Sequence, residues 1–382
     1  MHMNRRGFLK TAFLTAGMMG VKAMGAEDPL EVNAWPSELG EYQDEKTGAR
    51  VRTLTKGPFK DQVVYQTHPM WTPGMAHLVF TSDRSGGMLP HAIEMKTGQI
   101  RCLTPEGSGD FTLARKRDQL YYMDGSGVYT IGVGKVFQGE FQPARLGEKA
   151  TICENAHGLT IDADEKTLYA AACFEKEKSW GIVAFDIPSG QWRKVCEVDF
   201  KTGHVQANPI VPGLLMFCWE TGGEAPQRMW VVKADGSDLK PFYKETYNEW
   251  VTHEVWWGPD RAIFTVWPYD EEHERKPHGI LSADLTSGTP TVHNQYKAWH
   301  THGSPDGKWA VGDDFDRNLW LIQISTGERR LLTQGHLSPG GTNHPHASFT
   351  PDSKAVVFTS SKFGNDDVLL VEIPKWETLP EA

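Results

Sequence analysis

Seven positions recur along this chain at nearly constant intervals, and six of them are histidine. They are His68, Asp110, His157, His204, His253, His300 and His346, separated by 42, 47, 47, 49, 47 and 46 residues. A neutral imidazole near pH 7 can take a proton, and it is also a common metal ligand. Two places double the imidazole: His300-Thr301-His302 and His344-Pro345-His346. Two histidines at i and i+2 on a strand share a face, so each pair can hold one metal. Imidazole suits Mn, Fe, Ni, Cu or Zn better than Mg or Ca. Arg84, Lys176, Arg228 and Asp313 fall in loops expected to open on the same face. Arg84, Arg228 and the ring residue His157 are therefore candidates for binding an anionic substrate.

The elements that must position these residues follow from an internal repeat. Thr72-Pro73-Gly74, Ser304-Pro305-Asp306-Gly307 and Thr350-Pro351-Asp352-Ser353 are one recurring turn, each followed by an apolar strand. Less regular copies begin near Ala114, Ile161, Asn208 and Trp257. A second turn recurs as Thr97-Gly98, Ser189-Gly190, Asp235-Gly236 and Thr326-Gly327. Each unit reads as four short antiparallel strands, and a run of such units predicts an all-β, seven-bladed β-propeller. The segment from Thr47-Gly48 to Thr55 reads as an outer strand with no blade before it, and the last unit lacks an outer strand. The N-terminal strand should complete the last blade and hide both edges. This places the catalytic propeller over residues 45–374, with a tail over 375–382. The ring position lies at the start of each innermost strand, so the histidines should gather at one mouth of the central channel.

Composition narrows the class. With 39 Lys plus Arg against 49 Asp plus Glu, the net charge is −10, which argues against nucleic acid or an anionic membrane as partner. The five cysteines form no Cys-x-x-Cys pair, so a zinc-ribbon or thioredoxin reading fails; buried free thiols are expected, with one disulfide among the last four as the alternative. Asn4-Arg5-Arg6-Gly7-Phe8-Leu9-Lys10, the apolar stretch after it and small residues at Ala23, Gly25 and Ala26 read as a twin-arginine signal over residues 1–26. A periplasmic or otherwise exported protein is expected. No membrane span is expected in the mature chain. Oligomeric state is open.

His204, Gln227-Arg228-Met229-Trp230, Thr252-His253-Glu254, the segment from His300 to Asp313, and His344-Pro345-His346-Ala347-Ser348-Phe349-Thr350-Pro351 occur in this order. In this the chain resembles the oligogalacturonate lyases from about Lys46 to Ile373. The resemblance implies a seven-bladed propeller that binds Mn²⁺ and splits short oligogalacturonides by β-elimination. It implies His300, His344 and His346 as metal ligands, His253 as catalytic base and Arg228 beside the substrate carboxylate, with His204 as a further pocket residue. The family also carries a metal-binding Gln three residues before the His-Pro-His pair, where this chain has Gly341. His68 is the first candidate to replace it, followed by His302 and Asn343.

Elimination needs a cation at the uronate carboxylate, a base for the C5 proton and a proton for the leaving O4. The metal with Arg228, then His253, then His204 are expected in those roles. Three rivals follow from the same residues. A glycoside hydrolase needs two opposed carboxylates, and only Asp110, Glu254 and Asp313 are near the ring. A non-catalytic, TolB-like periplasmic binding propeller needs no metal histidines. A lyase for another uronic-acid-containing glycan keeps the mechanism and changes the sugar.

Overall fold

The computed structural model describes residues 34–175, 178–221, 225–246, 249–267, 275–338 and 344–381. The expected export signal over 1–26, Lys176, Gly341 and Asn343 lie outside them. Seven antiparallel sheets follow one another along the chain, and the element order is almost entirely strand. Blade 1 runs from Asp61–Val63 to Ile100–Cys102, blade 2 from Phe111–Leu113 to Ala144–Glu148, and blade 3 from Asn155–Ile161 to Gln191–Val198. Blade 4 runs from Thr202–Ala207 to Lys240–Pro241, blade 5 from Trp250–Trp256 to Thr291–Asn294, and blade 6 from Thr301–Gly303 to Arg329–Thr333. Blade 7 has Ser348–Phe349, Ala355–Ser360 and Asp367–Glu372 from the C-terminal end.

The closing strand comes from the N-terminal end, as the sequence predicts. Arg50–Thr53 pairs with Asp367–Glu372 through Val51↔Val371, Arg52↔Leu370 and Thr53↔Leu369. Gly40–Gln43 adds a fifth strand outside it, and Ala34–Trp35 adds one to blade 1. The strands therefore begin earlier than residue 45. The tail is also held: Arg330 Nη1 donates to the carbonyls of Trp376 and Leu379, and Leu379 packs into the core between blades 6 and 7. The cysteines are free, and all but Cys153 are buried.

Middle strands are covered on both faces by neighbouring blades, so they read as continuous apolar runs rather than as alternation. Ala170–Ala171–Ala172 and Val356–Val357–Phe358 are examples, each no more than 1% exposed. Phe358 joins Val51, Phe349 and Leu369 in one cluster and meets His336 edge-on at 4.7 Å. Phe358→Ala should cost about 3–5 kcal/mol, read as a lower denaturant midpoint with an unchanged slope.

Three innermost strands carry the same irregularity where the ring residue sits. In blade 4, Gly203 pairs with Cys218 and Gln206 with Met216, so His204 and Val205 stand opposite one residue. His253 and Glu254 do the same in blade 5, and Gly158 and Leu159 in blade 3. These are β-bulges, which bend a strand and re-aim a side chain. In blade 1 the bulge is far larger: Val63 pairs with Phe80 and Trp71 next with Leu78, leaving residues 64–70 opposite Val79. That segment crosses the channel. Tyr65 bonds His253 of blade 5, Gln66 Nε2 donates to the Thr301 carbonyl of blade 6, and His68 bonds the Leu159 carbonyl of blade 3.

Candidate functional site

His204, His253 and His346 hold left-handed backbone, with φ of 46°, 57° and 44°. A side chain other than Gly rarely takes that conformation, and its cost, of order 1–3 kcal/mol, tends to be stored at functional sites. The bulges thus re-aim the imidazoles of His204 and His253, and the segment before Ser348–Phe349 does so for that of His346. They meet around Tyr65, whose ring centroid is 5.2 Å from that of His204, 6.4 Å from His253, 6.4 Å from His300 and 4.9 Å from His346. Blades 1, 4, 5, 6 and 7 each give one of the five rings.

On the blade 6–7 side, His300 lies 4.5 Å from His346 and 5.4 Å from His344, centroid to centroid. Asp313 is fully buried and accepts the His300 backbone N–H at 2.6 Å, with its carboxylate 3.0 Å from His300 Nδ1. That contact leaves Nε2 as the nitrogen open to a metal, the usual arrangement for an outer carboxylate. His344 lies against Trp299 with centroids 3.9 Å apart and the rings tilted by 42°, and its Nδ1 is buried without a partner. Burial pulls the His346 imidazole down to about 3, with His300 adding to it, and lowers His344 for the same two reasons. Ligand atoms of His300, Asp313 and His344 lie within 4.8 Å of one another, and with the orphaned His344 nitrogen and the His346 ring beside His300 this donor set fits a divalent metal.

The blade 4–5 side is a buried ion cluster. Arg228 Nε donates to Glu254 Oε2 at 3.0 Å, and both side chains are almost wholly buried. Burial alone would raise the Glu254 carboxyl, but Arg228 and then His204 outweigh it and hold it well below the usual carboxylate range. Burial opposes the Arg228 charge, and Glu254 more than restores it. Glu245 fixes this segment by accepting the backbone N–H groups of Arg228 at 2.9 Å and Met229 at 2.7 Å. His204 Nδ1 stands 3.1 Å from Glu254 Oε1, close but out of line for a hydrogen bond. Its Nε2 is 3.6 Å from Glu220. Between the two sides sits His253, 4.1 Å from His300 and joined by Nδ1 to the Tyr65 hydroxyl at 2.7 Å. Burial, then His300 and His204, push its imidazole well below 6.5.

The structure therefore gathers His204, His253, His300, His344, His346 and Arg228. It does not gather the rest. His68 has Nδ1 2.7 Å from the Thr67 hydroxyl and Nε2 3.1 Å from the Leu159 carbonyl, so neither nitrogen is left for the metal. His302 accepts the Phe349 N–H on Nδ1 and lies further down the channel. Arg84, expected to bind substrate, is instead a structural clamp: its buried guanidinium pairs with Asp61 at 2.5 Å and Glu38 at 2.9 Å. His157 stays on the rim with its Nδ1 buried and unpaired, within electrostatic reach of Asp110 and Glu220, but makes no ring contact with the Tyr65 group among the described residues.

Sequence reasoning missed Tyr65 and took Asp313 for a loop charge. Asp313 was findable: Thr301 pairs with Gly312, and that register extended by one residue sets His300 opposite Asp313. Tyr65 carries no such signal.

Fold and site together define a seven-bladed propeller whose channel mouth holds a histidine cluster facing a buried Arg–Glu pair. No protein-family profile matches the chain. It is 23% identical to the oligogalacturonide lyase of Pectobacterium atrosepticum, over 90% of this chain and 98% of that one. It is 24% identical to the oligogalacturonate lyase of Dickeya dadantii, over 87% and 95%. Among solved structures, an oligogalacturonate lyase in complex with manganese superposes with a TM-score of 0.78 at 20% identity, covering 90% of this chain and 98% of that one. The Vibrio parahaemolyticus oligogalacturonate lyase gives 0.79 at 18% identity, with the same coverage. The chain is oligogalacturonate lyase-like, in sequence and in fold, along nine-tenths of its length.

Proposed function

We propose that this chain is a metal-dependent lyase that cleaves short oligogalacturonides by β-elimination at the histidine-ringed mouth. One observation carries the reading: His253, His300, His344 and His346 lie at one mouth, with neighbouring ring centroids 4.1–6.3 Å apart, in a chain that is oligogalacturonate lyase-like along nine-tenths of its length. In the reaction the C5–H bond breaks, its electron pair becomes the C4=C5 bond, and the C4–O4 bond breaks to release the alcohol. His300, His344 and His346 would hold a divalent cation, Mn²⁺ on this proposal, which would supply positive charge to the uronate carboxylate as negative charge develops there.

Arg228 does the same from the opposite side. Glu254 engages its Nε, which leaves the terminal nitrogens for a carboxylate. His253 takes the C5 proton. With Nδ1–H donating to the Tyr65 oxygen, Nε2 carries the lone pair that faces the substrate. A neutral base suits this role, because burial and two neighbouring imidazoles disfavour its charged form. His204, flanked by Glu254 and Glu220, supplies the proton to O4. On the same proposal, the twin-arginine segment carries this activity out of the cytoplasm.

Assay on digalacturonate, with and without chelator, tests the reading through the ultraviolet absorbance of the conjugated unsaturated product. Absence of that product from metal-loaded protein would end it. Tyr65→Phe should lower kcat by about 10–100-fold, with metal content unchanged and no further loss when combined with His253→Ala. An additive double variant would show that Tyr65 does not act through His253.

A further inference from the structure

Below the histidine ring, beyond the segment from Tyr65 to His68, the channel widens into a cavity of about 540 Å³. That volume is within the roughly 300–1,000 Å³ usual for small-molecule sites. Four aromatic side chains, Trp71, Trp256, Trp257 and Phe349, contribute to its walls. No Asp or Glu is among the described residues that line it, although the chain is acidic overall. Its cations are Arg115 and Arg261.

Arg115 lacks a counter-ion. Its Nη1 donates to the Ile161 carbonyl at 3.4 Å, and among the described residues it makes no ion pair. The carboxylates that influence it are committed elsewhere. Asp162 accepts the Tyr169 hydroxyl at 3.0 Å and the Gly213 N–H at 2.9 Å. Glu165 pairs with Arg117 at 2.9 Å and accepts the Lys116 N–H at 2.6 Å. Burial pulls the Arg115 guanidinium down to about 10 despite both acids. Two lining residues, Gln66 and Trp71, 2% and 7% exposed, each carry a buried side-chain atom without a partner, Oε1 and Nε1. Buried polar atoms left unpaired and a partly buried cation without a partner carboxylate are costly, and one ligand set against these three side chains would relieve them.

We propose that this cavity is a second binding site, for a monosaccharide carboxylate such as a hexuronate. The carboxylate meets Arg115 in a charge-assisted bond. The apolar C–H face of the sugar lies on the tryptophans. The Trp71 N–H donates to a ring hydroxyl, and Gln66 Oε1 accepts one. That last need favours a hydroxylated acid over an aromatic one. The proposal does not depend on the lyase reading.

The test is calorimetric titration of the Arg228→Met protein, whose upper carboxylate clamp is gone, with galacturonate, galactose and benzoate. One galacturonate should bind per chain, with galactose and benzoate each weaker. Adding Arg115→Met should weaken galacturonate by about tenfold or more. It should also raise the melting temperature of ligand-free protein, since a partly desolvated charge without a partner carboxylate is removed. Absent galacturonate binding, unchanged affinity in the double variant, a lowered melting temperature, or benzoate binding as tightly as galacturonate each overturns the proposal. A wild-type protein without elimination activity would sink the lyase reading and leave these results untouched.

Discussion

His253→Ala should abolish turnover while leaving the metal in place. The expected fall in kcat is about 10²–10⁴-fold, the usual cost of losing a general base. Metal content should not change, because His300, His344 and His346 keep their geometry and Asp313 still braces His300. KM should move little, since Arg228 and its Glu254 partner are untouched. The pH profile of the unmutated protein gives a second check. A base works only when deprotonated, so activity is lost as pH falls through its folded pKa. Burial and two imidazole neighbours lower that value well below 6.5, so the acidic limb of kcat/KM should lie below pH 6.5. Near-normal turnover in His253→Ala would remove this residue from the chemistry.

His344→Ala should lose metal and activity together. His344 is one of three candidate ligands, and its orphaned Nδ1 stands in a polar cluster with no protein partner. Loss of an outer-shell partner costs about 10–100-fold in metal affinity, and loss of a direct ligand should exceed that. Asp313→Asn supplies the comparison, since Asp313 touches His300 and acts only through it. Metal content after dialysis, and the rise in melting temperature when Mn²⁺ is added, read both variants without reference to activity. A His344→Ala protein that keeps its full metal complement would place the metal elsewhere. The pair of variants also separates the two sides of the mouth: one loses the base and keeps the metal, the other keeps the base and loses the metal.

Turn chemistry and strand pattern are local properties, so they are written in order along the chain. Ser304-Pro305-Asp306-Gly307 and its copies therefore announced seven blades, and the unpaired N-terminal strand announced the closure onto Asp367–Glu372. The spacing of the ring residues followed, and with it the histidines that gather at one mouth. Resemblance carried the grouping of His300, His344 and His346 and the place of Arg228. What lies across the channel was not legible. A bulge changes where a side chain points without changing residue type, so the assumed alternation of faces could not show His204, His253 and His346 in left-handed backbone. Nor could it show residues 64–70 crossing the axis, with Tyr65 placed at His253 and His68 turned to the Leu159 carbonyl. Arg84 and Arg228 read alike as loop cations. Only the fold decided that Asp61 and Glu38 consume the first, whereas Glu254 holds the second by one nitrogen at the mouth. Contacts between blades join residues distant in sequence, and no period in the chain encodes them.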